Sequence, residues 1–242
     1  MSLPVWTAAS PYSSAMAAAR PQTTEGSGSS GGGGDNAPLP FQRAVAALNA
    51  ARTRPEVQFS ALPAPKRLAP YTFALSATVT EPVADNDSSD APELADGRFV
   101  LLHDPSGQES WQGTFRVVTL GRTDLEPEMA GDPLLPEVTW SWLTGALEAH
   151  SATYGDPSGT VTRSGSSYFG GLEERPPQTE LEIRASWTPR PDDPAAPDAL
   201  PDMAAHLTAW AELLCQCAGL PPEQEDGASV VTLPKRRGPQ PL

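Results

Sequence analysis

Apolar residues recur along this chain with two different spacings, and each spacing predicts a different secondary structure. Between Phe41 and Leu48 they recur every three or four residues, which predicts a short amphipathic helix that ends before Pro55. From Tyr71 to Val79 apolar residues alternate with Thr and Ser, which predicts a half-buried strand. The chain therefore enters its folded part through a helix followed by a strand.

The rest of the folded part continues this alternation of patterns. Residues 99–102 and 111–120 predict a second and a third strand, and the turn sequence Asp104–Gly107 between them favours a hairpin. Asp202 is placed to cap the last helix. The remaining predicted elements are a helix over 136–150, strands over 160–169 and 181–187, and a helix over 202–217.

The order of these elements predicts the fold class, which is α+β. We expect the order α-β-β-β-α-β-β-α, with about five strands in an antiparallel sheet and the helices on one face. Residues 1–37 are low in complexity and predict a disordered tail, residues 38–220 a single domain, and residues 221–242 a Pro-rich tail. Within that tail, Val230–Leu233 resembles a short edge strand.

Charge and composition exclude several classes of function. The formal net charge is -14, and such a surface disfavours direct nucleic-acid binding, which depends on Lys and Arg. No apolar run approaches the ~20 residues that cross a bilayer, and we see no secretory signal. Cys215 and Cys217 point to different helix faces, so no disulfide is expected. We expect a cytoplasmic protein that acts neither on membranes nor directly on nucleic acid.

A cluster of carboxylates follows the third predicted strand. Asp124, Glu126 and Glu128 could converge on a metal ion or act as acid and base, with His103 nearby. This pattern supports one hypothesis, a metal-dependent hydrolase. The prolines that interrupt the cluster favour the other interpretation, an ordered surface turn before a helix.

Two further motifs match known patterns only in part. Gly26–Gly31 fits G-x-G-x-x-G, but it lies in low-complexity sequence without the strand and helix that dinucleotide binding requires. The acidic loop 81–96 approximates a calcium loop, but it has Asp90 where glycine is needed and is flanked by predicted strands. We therefore assign no catalytic, cofactor-binding or metal-binding residues, and we expect no cofactor.

Two tryptophans on the second predicted helix are candidates for partner binding. Trp140 and Trp142 occupy successive faces of that helix, so one is expected to enter the core. An exposed tryptophan is favoured at protein contacts. The alternative, in which both pack against the sheet and the last helix, remains open at this point.

Several long phrases of the sequence resemble the actinobacterial family labelled domain of unknown function 3000. These are RFVLLHDPSGQESWQG at 98–113, EPEMAGDPLLPEVTWSWLTGALEA at 126–149 and LEIRASWTP at 181–189. The resemblance covers roughly 41–238 and implies a cytoplasmic protein of high-GC Gram-positive bacteria. It supplies no catalytic residues.

The predicted element order is also similar to that of the type III secretion chaperone-like fold, whose members are often small acidic dimers that hold partner segments. Because fold alone does not fix function, this similarity is topological only. We favour a non-enzymatic protein-binding or chaperone-like module with an unidentified protein partner, and we consider a homodimer. The alternative is the metal-dependent hydrolase based on Asp124–Glu128.

Overall fold

A computed structural model describes residues 37–81, 92–193, 195 and 199–221 of the chain. Six strands form one antiparallel sheet in the order β1-β2-β3-β4-β6-β5. The strands are β1 Val57–Leu62, β2 Tyr71–Thr80, β3 Glu93–Gln108, β4 Gly113–Leu125, β5 Tyr154–Ser166 and β6 Gln178–Pro189. The helices are α1 Leu39–Ala50, α2 Pro127–Ala130, α3 Leu135–Ala149 and α4 Met203–Cys217.

The α+β class and the antiparallel sheet are confirmed, but the predicted number of strands is wrong. The additional strand is β1, which pairs with β2 so that Val57 lies opposite Val79. Its sequence, VQFSAL, does alternate apolar and polar residues. It is only six residues long and lies between Pro55 and Pro63, and no predicted element covers it.

The hairpin of the second and third predicted strands is present as β3 and β4, but β3 is longer than expected. It runs from Glu93 to Gln108 and passes through the predicted turn Asp104–Gly107. Its pairing with β4 is interrupted between His103 and Gln108. There the amide N–H of Ser106 donates to Oδ1 of Asp104 at 3.0 Å, so the turn chemistry makes a local irregularity within the strand.

Helix α4 packs against the middle of the sheet, with α1 and α3 on either side of it. Two glycines allow this close approach. A Cβ atom at Gly97 would lie 2.7 Å from Cζ2 of Trp210, and one at Gly121 would lie 2.8 Å from Cδ2 of Leu214. As predicted, Asp202 caps α4, because its Oδ1 accepts from the N–H of Ala205 at 3.1 Å.

The helices cover one face of the sheet, and we call the other the open face. Residues of β6 show the division, because Ile183 and Ala185 are buried on the helix face whereas Glu182 and Arg184 point to the open face. The guanidinium of Arg122 donates to Glu182 at 2.9 Å on this open face. The sheet thus has one apolar side and one polar side, typical of antiparallel sheets.

Some predicted features lie outside the described residues. They are the two tails apart from Ala37 and Pro221, the glycine motif at 26–31, most of the acidic loop 81–96 and the segment 230–233. Glu93 and Asp96 of that loop belong to β3. Cys215 and Cys217 are buried on α4 and form no disulfide. No described helix has the length and apolarity needed to cross a membrane.

Candidate functional site

The predicted carboxylate cluster lies at the end of β4 and the start of α2. Asp124, Glu126 and Glu128 are all exposed to solvent. Oδ2 of Asp124 accepts a hydrogen bond of 2.7 Å from Nε2 of Gln178. Glu128 lies in the first turn of α2, where the helix dipole favours an acidic side chain. These contacts fit the interpretation as a surface turn.

His103 does not lie near these carboxylates. It pairs with Phe115 near the opposite end of β4, and ~30 Å of strand separates Phe115 from Asp124. Its ring is buried on the helix face and stacks on Phe115 at 4.2 Å between centroids. Burial lowers the pKa of His103. The hydrogen bond between its Nδ1 and the carbonyl of Thr114 acts in the opposite direction.

The geometry therefore does not support the hydrolase hypothesis. Within the described ranges, no group of three or more His, Cys, Asp or Glu side chains could hold a metal ion. The structure brings together neither the predicted acid and base nor a histidine with the carboxylates.

Trp140 and Trp142 are both half-buried, and both pack against the hydrophobic core. The ring of Trp140 lies over β5, where a Cβ atom at Gly159 would be only 2.8 Å from its Cζ3. The more exposed apolar side chains of α3 and its N-cap are Leu134, with 58% of its surface accessible, and Val138. Trp140 and Trp142 thus pack mainly against the core, and the exposed apolar residues near them are Leu134 and Val138.

The strand β5 is the longer of the two outer strands in the described part of the chain. It is thirteen residues long, pairs only with β6, and is exposed along most of its length. The outward N–H and C=O groups of such a strand have no strand to pair with. Between Ser158 and Ser166 its only charged residue is Arg163, whose Nη1 donates to the carbonyl of Asp132 at 2.8 Å.

Exposed apolar side chains lie near this strand or follow it in sequence. Leu134 is two residues from Asp132, the residue that Arg163 contacts, and Val138 follows one helical turn later. Phe169, with 82% of its surface accessible, comes three residues after β5. We call the surface formed by Ser158–Ser166, Leu134, Val138 and Phe169 the β5 edge.

The sequence pattern does not reveal the β5 edge. The predicted strand 160–169 includes Phe169, whereas β5 begins earlier, at Tyr154, and ends at Ser166. The chain order also hides the edge, because β6 follows β5 in sequence yet lies between β4 and β5 in the sheet. The available signal was composition, since Ser, Gly and Thr fill the strand where an interior strand would carry large apolar residues.

The structure thus defines an α+β protein with an antiparallel six-stranded sheet and an accessible outer strand. The chain belongs to the family described as "Protein of unknown function (DUF3000)", whose model matches residues 37–227. This match confirms the family resemblance of the long sequence phrases. Comparison with curated proteins and with solved structures yields no significant match.

Proposed function

We propose that this protein is a non-enzymatic protein-binding module that takes up an extended segment of a partner chain at the β5 edge. The observation that carries the proposal is the thirteen-residue strand β5, which has an accessible outer side and exposed apolar residues next to it. A partner segment that added as a seventh strand would pair the outward backbone groups of β5.

The composition of β5 supports this proposal. Outer strands are usually protected by lysines, prolines, bulges or inward-pointing charges. In β5 a proline and a bulge occur only at the beginning, where Pro157 lies within the irregularity between Gly155 and Ser158. The segment Ser158–Ser166 has neither Lys nor Pro, and its one charged residue, Arg163, is held by the carbonyl of Asp132, so a second backbone can approach it.

The apolar residues of the β5 edge would add affinity to this backbone pairing. Phe169 and Leu134 each leave more than half of their surface accessible. Burying apolar surface contributes roughly 25 cal/mol per Å², and large aromatic side chains are enriched among the residues that dominate binding. A chaperone-like role, in which the edge holds an unfolded segment, is one form of this proposal, and it does not depend on the similarity to the type III secretion chaperone-like fold.

Site-specific photo-crosslinking in the native cell tests the proposal. A photoreactive p-benzoylphenylalanine would replace Thr162 on β5, and the matched control would carry it at the exposed Ser60 on the opposite outer strand β1. We expect one discrete adduct from position 162 and none from position 60. Slower amide hydrogen exchange at 158–166 in the purified complex would show that the partner pairs with β5.

Two results would overturn the proposal. Equal adducts from both positions would indicate non-specific contact, and an adduct with a second copy of this chain would assign the edge to a homodimer. The side-chain contribution is tested with Phe169→Ala, which should reduce adduct formation at position 162. Leu39→Ala on α1 is the control, because Leu39 is also exposed but belongs to the helix beside β2 and β3.

A further inference from the structure

Arg116 is a buried arginine on the open face of the sheet. Only 8% of its surface is accessible, and β4 directs it away from the helices, between Leu102 of β3 and the end of β6. Its Nη1 donates to Oγ1 of Thr188 at 3.0 Å. Its Nη2 donates to the hydroxyls of Ser186 at 2.8 Å and Ser158 at 3.2 Å, and lies 3.4 Å from the carbonyl of Ser186.

None of these partners carries a charge. Burial lowers the pKa of Arg116. The charge of Asp156 acts in the opposite direction, although Asp156 forms no hydrogen bond with Arg116. Asp156 is engaged with Arg190, whose Nη2 lies 3.5 Å from its Oδ2. Because a buried cation that forms no ion pair is costly, the guanidinium of Arg116 would be stabilised by an anion at this place.

Arg116 and the hydroxyls around it leave several hydrogen-bond donors unused. The Ser158 and Ser186 hydroxyl oxygens lie 3.2 Å apart, and the bond between them uses only one of their two hydrogens. The hydroxyl of Thr188 donates to the carbonyl of Trp111 at 2.6 Å. A guanidinium has five N–H donors, and the described contacts of Arg116 leave its Nε–H and one Nη1–H without an acceptor.

A second arginine adjoins this cluster. Gly155 pairs with Thr188, and a Cβ atom at Gly155 would lie 2.3 Å from Nε of Arg190. Glycine therefore makes room for the guanidinium of Arg190 next to the residue that binds Arg116. Ser158 and Arg190 are exposed, so the cluster is open to solvent on the side of β5.

We propose that Arg116, Arg190, Ser158 and Ser186 form a binding site for a phosphate group, either free or carried by a small molecule. The surplus of donors and positive charge calls for a ligand that is negatively charged and accepts several hydrogen bonds. Phosphate suits the site better than a carboxylate. Both hydrogens of Nη2 are already engaged, so no edge of Arg116 is free for planar two-point pairing, and the remaining donors diverge around it.

Thermal unfolding of the full chain tests this site with inorganic phosphate as the probe. Phosphate at millimolar concentration should raise the Tm of the wild-type protein relative to sodium chloride of equal ionic strength. Arg116→Met should weaken the phosphate response at least tenfold. The matched control is Arg184→Met, which removes an exposed arginine of the same face and should leave the response unchanged.

A second variant keeps the test decisive if Arg116→Met fails to fold. Ser158 is exposed, so Ser158→Asp should preserve the fold and place a carboxylate beside Arg116, which abolishes the phosphate response. A phosphate effect no greater than that of chloride, or equal losses in Arg116→Met and Arg184→Met, would overturn the proposal. An equal response to acetate would overturn the assignment to phosphate.

A further titration distinguishes the two sources of the phosphate group. Tighter binding of phenyl phosphate than of inorganic phosphate would indicate a small-molecule ester, and the reverse would indicate the free ion. Ser158 belongs both to this site and to the β5 edge, but the site does not rest on the proposed protein-binding function, because the phosphate titration needs no partner chain.

Discussion

Arg54 and Arg116 are equally buried, with 8% of the surface of each accessible, yet their surroundings differ. Arg54 lies 3.1 Å from Glu56 and 3.7 Å from Glu212, and its Nη1 donates to the carbonyl of Pro221 at 2.6 Å. Arg116 contacts only hydroxyls and a carbonyl. The same side chain at the same depth pairs with carboxylates in one place and with neutral groups in the other.

The difference shows what each arginine does for the molecule. Arg54 joins three separate parts of the chain, the segment before β1, helix α4 and the residue Pro221. Although burial lowers its pKa, the hydrogen bond and charge of Glu56 and the charge of Glu212 raise it overall. Arg116 joins neighbouring strands of one sheet through neutral hydrogen-bond partners and forms no ion pair, although Asp156 attracts it. Arg54 therefore stabilises the fold, whereas Arg116 holds a charge available for a ligand.

Removing Arg54 should have the largest effect. Arg54→Met leaves Glu56 and Glu212 nearly buried without their cation, and breaking such a pair typically costs about 3–5 kcal/mol. We expect the free energy of unfolding to fall by about that amount in urea titrations. Arg52→Met removes an exposed arginine two residues away and should change it by less than about 0.5 kcal/mol. Equal effects of the two substitutions would contradict the role assigned to Arg54.

His206 is a third buried basic side chain, and it stays neutral in the folded protein. Burial lowers the pKa of His206 to about 4, while Asp202, the backbone of Thr153 and Asp192 act in the opposite direction. The folded protein therefore keeps this histidine neutral at pH values where the unfolded chain binds a proton. Its contribution to stability is fully present above about pH 6.5 and is lost as the pH falls towards 4.

The expected size of this loss is about 3 kcal/mol. His206→Gln should remove it, because glutamine can still accept the hydrogen bond that Nε1 of Trp187 donates to His206 but does not titrate. The measurement is urea unfolding at a series of pH values, with His150→Gln as the control. Identical pH profiles of wild type and His206→Gln would refute this assignment.

Arg116→Met should change stability far less than Arg54→Met. Without phosphate we expect a difference within about 1 kcal/mol of the wild type, because methionine removes a buried charge that forms no ion pair, and Asp156 keeps its partner Arg190. Urea titrations of both variants under the same conditions check this contrast directly. A loss above about 3 kcal/mol would show that the hydroxyl network around Arg116 is mainly structural.

The smallest effect is expected from supplying the missing counter-ion. Ser158→Asp should stabilise the protein by about 0.5 kcal/mol in the absence of phosphate, since an exposed carboxylate beside Arg116 gains little more than a surface ion pair. The stabilisation should disappear in Ser158→Asp combined with Arg116→Met. If it persists there, the aspartate acts through another group, such as Arg190.

Local patterns predicted much of the fold. The stripe of α4 and its Asp202 cap, the helix α3 and the pairing of β3 with β4 all depend on neighbouring residues, and all are present. The short strand β1 was missed because six residues between prolines carry too few alternations to distinguish a strand from a connection. Sequence patterns therefore miss elements that are as short as β1.

The two candidate sites depend on pairings between distant residues, which no local pattern contains. Arg116 alternates correctly with its apolar neighbours, so the sequence places it on the polar face, but Ser158 and Thr188 reach it only through the sheet order. His103 was expected to lie near Asp124, but the length of β4 keeps them apart. Chemistry that is assembled across strands becomes visible only in the structure.

The sheet order has a consequence for how the chain folds. The β3–β4 hairpin closes over the four residues 109–112 and the β5–β6 hairpin over the eleven residues 167–177, whereas the pairing of β4 with β6 brings together residues as distant as Val117 and Trp187. Such long-range contacts are slow to form, because the entropy of closing the intervening chain is lost before they are made. A folding chain that has completed both hairpins but not joined them exposes the unpaired sides of β4 and β6, so aggregation during synthesis should be decided at that step.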